Sequence, residues 1–127
     1  MSEHITIHLI LPWPPSTNGY WRSILRGRRC CQILSAKARE YRTAASEAML
    51  PHLRVQMIEG PVKVTERFYP PDKRVRDMSN YRKAYEDAIT HFGLWKDDSQ
   101  VVECHGYMMP PDKARPRVEI TIERLDG

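Results

Sequence analysis

The sequence predicts an α+β fold: a single mixed sheet of about four strands carrying two main helices, in the order strand-helix-strand-helix-strand-strand. Two patterns support this reading. Residues 5–11 and 117–123 alternate along the chain with period two, as strands with one buried face do. The stretches after Ser35 and after Ser79 instead repeat apolar side chains at helical spacing. At 127 residues the chain suits one hydrophobic core, so residues 1–127 are expected to form a single domain.

In the first strand Ile5, Ile7, Leu9 and Leu11 oppose Thr6, His8 and Ile10. Pro12, Pro14 and Pro15 flank Trp13 and remove backbone donors, which predicts an ordered extended turn. Tyr20 to Leu34 has no clean period and reads as a basic loop with a short strand near Cys31–Leu34. Ser35 is a good N-cap for a helix to about Leu50, with Ala38, Tyr41, Ala45, Ala48 and Met49 on one side and Pro51 ending it.

Val62 to Phe68 forms the next strand, followed by a Pro-rich basic loop from Tyr69 to Arg76. The second helix runs from Asn80 to Phe92 and stops at Gly93. Tyr81, Ala84, Tyr85, Ala88, Ile89 and Phe92 share its apolar arc, while Ser79, Lys83 and Asp87 lie opposite. Strands Val101 to Met109 and Arg117 to Glu123 close the chain. Sheet and helices bury their apolar sides against each other.

The composition is 41% hydrophobic and 28% charged, which excludes disorder. No apolar run approaches a membrane span, and no secretory leader is expected. Three cysteines make no disulfide framework, so a reducing cytoplasm is expected. The net charge of +4 is unevenly spread: residues 1–39 hold six Lys and Arg against Glu3 alone. Such an excess suits a polyanion. Arg22, Arg26, Arg28 and Arg29 are the candidate phosphate contacts, joined by Lys73, Arg74, Arg76 and Asn80. Tyr20 and Trp21 either stack on exposed bases or pack beneath the basic loop.

The candidate site is the cluster around Asp77, Ser79, Asn80 and Lys83, with Asp97-Asp98 beyond the helix. Phosphodiester hydrolysis calls for a divalent metal, and Mg²⁺ takes one or two carboxylates plus water and substrate oxygens. Asp77 and Asp98, with Asp97 as neighbouring acid, are the metal-ligand candidates, and Lys83 is placed to meet a phosphate oxygen. The same acids also suit a helix cap and a solvated turn. The helix carries the chain about 18 Å away from Asp77, so Asp98 returns through a nearly extended link or serves a neighbouring subunit. Cys104-His105 lacks the further spaced ligands of a zinc site.

Several blocks recur in one order: Leu11-Pro12-Trp13-Pro14-Pro15-Ser16, then Arg76-Asp77-x-x-Asn80 and Lys83. Asp87-Ala88, Gly93, Trp95 and Asp97-Asp98-x-Gln100-Val101-Val102 follow. Together they resemble the RusA family of Holliday-junction resolvases over nearly the whole chain. The resemblance implies a homodimeric, Mg²⁺- or Mn²⁺-dependent endonuclease that cuts four-way junction DNA in recombination or repair, in a bacterium or prophage. It implies no organic cofactor and no membrane partner. Asp77, Asp98 and Lys83 occupy three of the family's four site positions.

The second aspartate of the family's Asp-x-Asp-Asn pattern is Ser79 here. A hydroxyl can ligate Mg²⁺ but brings no charge. The serine is a deliberate inactivation, drift in a decaying prophage gene, or a loss compensated by Glu66, Asp72 or Asp97. The alternative function is a non-catalytic four-way-junction binder on the same fold; a general nucleic-acid or protein-interaction module is the other rival.

Overall fold

The computed structural model describes residues 5–125. β1 (Thr6–Pro12) leads into a hairpin of β2 (Trp21–Arg26) and β3 (Arg29–Leu34), then α1 (Ala36–Met49) and β4 (Val62–Tyr69). α2 (Ser79–Phe92), β5 (Val101–Met108) and β6 (Arg117–Arg124) complete the order. The main sheet runs β1-β6-β4-β5, with β6 antiparallel to both its neighbours and β5 parallel to β4. That parallel pair needs a crossover, and α2 supplies it.

The period-two pattern sets which face is covered. Ile7, Leu9 and Leu11 of β1, Val62, Val64 and Phe68 of β4, and Val118, Ile120 and Ile122 of β6 are all buried. Ala38, Tyr41, Ala45 and Met49 of α1 join them, as do Ala84, Tyr85, Ala88 and Ile89 of α2. Glu66 occupies a core position of β4 and is itself fully buried. Ser35 caps α1 by accepting from the Ala38 amide at 3.2 Å. Gly93 ends α2 at φ +98°, a conformation that costs glycine little.

The basic loop expected over Tyr20 to Leu34 is a two-stranded hairpin, separate from the main sheet. Arg26 pairs with Arg29 across a two-residue Gly27-Arg28 turn. Gly27 has φ +62° and Arg28 does not have positive φ, the pattern of a type II′ turn. No hydrophobic period announced these strands because most residues on both faces of the ribbon are exposed. Trp13 belongs to the expected structural turn, with its ring 5.0 Å from Tyr81 and 5.9 Å from Phe68. Edge strand β5 leaves Val102, Tyr107 and Met108 exposed. Among the described residues no helix is long and apolar enough to cross a membrane.

Candidate functional site

α2 is the axis of the site. Its first turn is set by Asp77, whose Oδ1 accepts from the Ser79 amide at 3.1 Å and from the Ser79 hydroxyl at 2.8 Å. Those bonds, the hydroxyl's first, hold the Asp77 carboxyl below its ordinary range. Both residues are exposed.

One turn on, the Lys83 ammonium lies 3.3 Å from Asp87 Oδ1. Asp87 also accepts a hydrogen bond from the Tyr20 hydroxyl, and the Tyr20 ring is buried. This excludes base stacking for Tyr20 and leaves half-exposed Trp21, edge-on at 5.1 Å, as the aromatic open to solvent there. Burial first, then Asp87, push the Tyr20 hydroxyl well up from its usual range, so it stays protonated and donating. Thr17 Oγ1 donates to the Asn80 carbonyl at 3.2 Å. Both contacts tie the root of the hairpin to α2.

After Gly93 the chain folds back along α2. Leu94 and Trp95 are buried, the Leu94 carbonyl accepts from the Ile58 amide at 2.8 Å, and Trp95 Nε1 donates to Thr90 Oγ1 at 2.6 Å. Asp97 then caps the 3-10 turn Asp98–Gln100: its Oδ2 accepts from the Ser99 amide at 3.3 Å, and Gln100 Oε1 accepts from the Asp97 amide at 3.1 Å. Among the described residues the Asp98 carboxylate makes no hydrogen bond or ion pair, and it stands half-buried beside Glu86 of the same chain.

Glu86 is also half-buried, and its carboxylate makes no hydrogen bond or ion pair among the described residues. Burial, and next the charge of Asp98, push its carboxyl up to about 7. Glu86 was not singled out from the sequence, although its register points to it. Seven residues from Ser79, it falls within about 20° of the same helical line.

The acids suggested as replacements for the missing aspartate are engaged elsewhere. Glu66 is bound by Arg82, with Nε to Oε1 at 2.8 Å and Nη2 to Oε2 at 2.6 Å, and accepts from the Tyr85 hydroxyl. Asp72 receives Arg76 Nη2 at 2.6 Å and Arg74 Nε at 3.3 Å. Asp97 is the cap just described. Among the described residues no three His, Cys, Asp or Glu side chains converge closely enough to enclose a metal ion.

The expected phosphate contacts divide in two. Arg22, Arg26, Arg28 and Arg29 are exposed on the hairpin and, like exposed Lys73, make no ion pair among the described residues. Arg74 is largely exposed despite its Asp72 contact. Arg76 faces inward, held by Asp72 and stacked 5.6 Å from the Trp13 ring centre. Asn80 Oδ1 lies 3.4 Å from Thr17 Oγ1.

Residues 12–123 match the family model described as Endodeoxyribonuclease RusA. A curated relative named Crossover junction endodeoxyribonuclease rusA, from Enterobacteria phage 82, is 38% identical over 94% of this chain and 96% of its own length. Relatives of the same name from Shigella sonnei strain Ss046 and Escherichia coli strain K12 match at the same identity and coverage.

Proposed function

The chain belongs to the RusA family of endodeoxyribonucleases, and from that premise we propose that it cuts four-way DNA junctions by metal-assisted phosphodiester hydrolysis, at a rate weakened by Ser79. The observation that carries this reading is the hydrogen bond from Tyr20 to Asp87. It fastens the unpaired hairpin arginines to the helix that bears Ser79, Lys83 and Glu86, so that backbone-binding and cutting groups address one substrate.

The donor set suits a hard divalent ion such as Mg²⁺ or Mn²⁺: it is all oxygen, and among the described residues the carboxylates of Asp98 and Glu86 make no hydrogen bond or ion pair. Asp98 and Glu86, side by side, would hold the ion, and Asp77 with the neutral Ser79 Oγ would close on it, a movement the chain must make because no three acids converge among the described residues. The bound ion supplies a lowered water pKa and charge neutralisation at phosphorus. Asp97 works indirectly, since its cap fixes the turn that leaves Asp98 free. Lys83 exchanges Asp87 for a phosphate oxygen as negative charge develops there. The hairpin arginines, Lys73 and Arg74 neutralise backbone phosphates without reading sequence.

Resolving a junction takes two symmetric cuts, which a two-fold homodimer provides. The exposed edge and side chains of β5 support that strand as the surface for a second copy. A second reading, a junction binder that does not cut, is favoured by one observation. Ser79 occupies Asp77 Oδ1 twice over and adds no charge.

A labelled four-way junction and a linear duplex of equal sequence, incubated with Mg²⁺, Ca²⁺ or EDTA, test both. The proposal expects Mg²⁺-dependent cutting of the junction alone, abolished by Asp77→Asn and by Asp98→Asn. Cutting that survives both substitutions refutes the site. Junction binding without cutting, converted to cutting by Ser79→Asp, establishes the second reading. Equal affinity for both DNAs with no cutting by either form refutes both readings.

A further inference from the structure

The buried pair Glu66 and Arg82 has no assigned part in this site, yet it sits against it. Glu66 is a fully buried carboxylate in the middle of β4, facing the core between Val64 and Phe68. A charge there is costly to desolvate, and an apolar pair of similar volume generally serves stability as well or better. Packing therefore does not explain why a glutamate and an arginine meet here.

The orientation of the guanidinium offers an explanation. Arg82 donates to Glu66 through Nε at 2.8 Å and through Nη2 at 2.6 Å, a two-pronged grip that fixes the plane of the fork. The Tyr85 hydroxyl closes the other side of the carboxylate. The third corner, Nη1, makes no hydrogen bond among the described residues. No buried side-chain nitrogen or oxygen there lacks a partner, so Nη1 reaches solvent.

The fork itself lies at the first turn of α2. A Cβ placed on Gly106 would stand 2.6 Å from Glu66 Oε2 and 3.3 Å from Met78 Sδ, so the carboxylate and the Met78 side chain are neighbours. Met78 is flanked by Asp77 and Ser79. Arg82 itself lies one turn beyond Ser79, and helical side chains lean toward the N-terminus. Its charge is felt at both Asp77 and Glu86.

We propose that Arg82, held rigid by Glu66, donates through Nη1 to a non-bridging oxygen of the phosphodiester at the Asp77–Ser79 end of α2. The inference rests on the nuclease reading above and adds a substrate contact to it. Glu66 and Tyr85 are positioning residues. Glu66 fixes the plane of the fork, so Nη1 is presented to the phosphate in one direction and the ionised guanidinium neutralises it. A lysine presents its three donors from a single nitrogen, so it cannot span the carboxylate and the phosphate as the planar fork does.

The test is the salt dependence of junction binding in EDTA, which needs neither metal nor cutting. Each phosphate contact contributes about 0.9 to the slope of log K against log salt. Arg82→Gln and Arg82→Lys are each expected to lower the slope by about that amount. The double variant Glu66→Leu/Arg82→Met, which removes the fork without stranding a charge, is expected to do the same while remaining folded, the Tyr85 hydroxyl losing its acceptor. An unchanged slope in the folded double variant overturns the proposal, and a full slope in Arg82→Lys overturns the forked arrangement. Wild-type protein that prefers junctions but never cuts refutes the nuclease reading, and the slope still decides Arg82. Metal-dependent cutting with unchanged slopes refutes Arg82 alone.

Discussion

The Ser79 hydroxyl donates to Asp77 Oδ1 at 2.8 Å, and the Ser79 amide reaches the same oxygen at 3.1 Å. One oxygen of Asp77 is thus committed to residue 79. Ser79→Asp removes the hydroxyl donor and adds a carboxylate at the helix start. Affinity for Mn²⁺ is expected to rise about tenfold, since binding of hard cations follows ligand charge. Junction cutting is expected to quicken in parallel. Electron paramagnetic resonance of free Mn²⁺, with single-turnover cleavage, measures both; unchanged affinity would separate residue 79 from the metal.

Glu86 should make the metal-free protein sensitive to pH. Its carboxyl stands at about 7 in the folded chain against the ordinary 4.5. The unfolded chain ionises first as pH rises, so this group's stability contribution is full below about pH 4.5 and lost progressively up to about pH 7. Glu86→Gln is therefore expected to match wild type near pH 4.5 and to be more stable at pH 8, by urea denaturation in EDTA. A deficit of the variant at pH 8 would contradict an uncompensated carboxylate.

Gly106 faces the Glu66 carboxylate so closely that an added Cβ would lie 2.6 Å from Oε2. Arg82 and Tyr85 hold that carboxylate, so it cannot swing aside. Gly106→Ala is expected to lose about 1–3 kcal/mol. Gly19→Ala, with no atom within 4 Å of its added Cβ, is expected to stay within about 0.5 kcal/mol. Thermal and chemical denaturation of the two variants decide it.

Among the described residues the hairpin arginines have no ion pairs to lose. Arg26→Gln/Arg29→Gln is expected to lower the salt slope of junction binding by about two units, about 0.9 for each phosphate contact. The melting temperature should not move. A steep slope retained in this variant would direct DNA elsewhere.

On β5, Val102 and Met108 are exposed beside an open strand edge. Val102→Lys/Met108→Lys is expected to shift a dimer to monomer in sedimentation velocity and to slow the paired cuts, because charged edge side chains oppose strand addition. A dimer undisturbed by both lysines would place the contact on another surface.

Much of this architecture was legible in the residue pattern. Alternation in β1, β4 and β6, the Ser35 cap and the Gly93 stop gave the main elements, because each depends on neighbours along the chain. The short strand expected near Cys31–Leu34 is present within β3, but its partner β2 is not legible in the sequence, because few residues of the hairpin are buried and no period marks it, although Gly27-Arg28 carries a turn signal. Asp97 and Asp98 were recognisable as a pair from sequence. Their division into cap and free carboxylate depends on Gln100, whose amide nitrogen donates to the Ile58 and Gly60 carbonyls at 2.9 Å.

The sequence by itself determined the α+β class, the order of the main strands and helices, the family motifs and the basic first third of the chain. Those follow from local periodicity, composition and spacing. Tertiary structure alone decided which acids are free. It buried Glu66 under Arg82, tied Asp87 to Tyr20 across 67 positions and brought Asp98 back beside Glu86. A carboxylate's chemistry depends on its solvent and its partners, and here the partners come from distant parts of the chain.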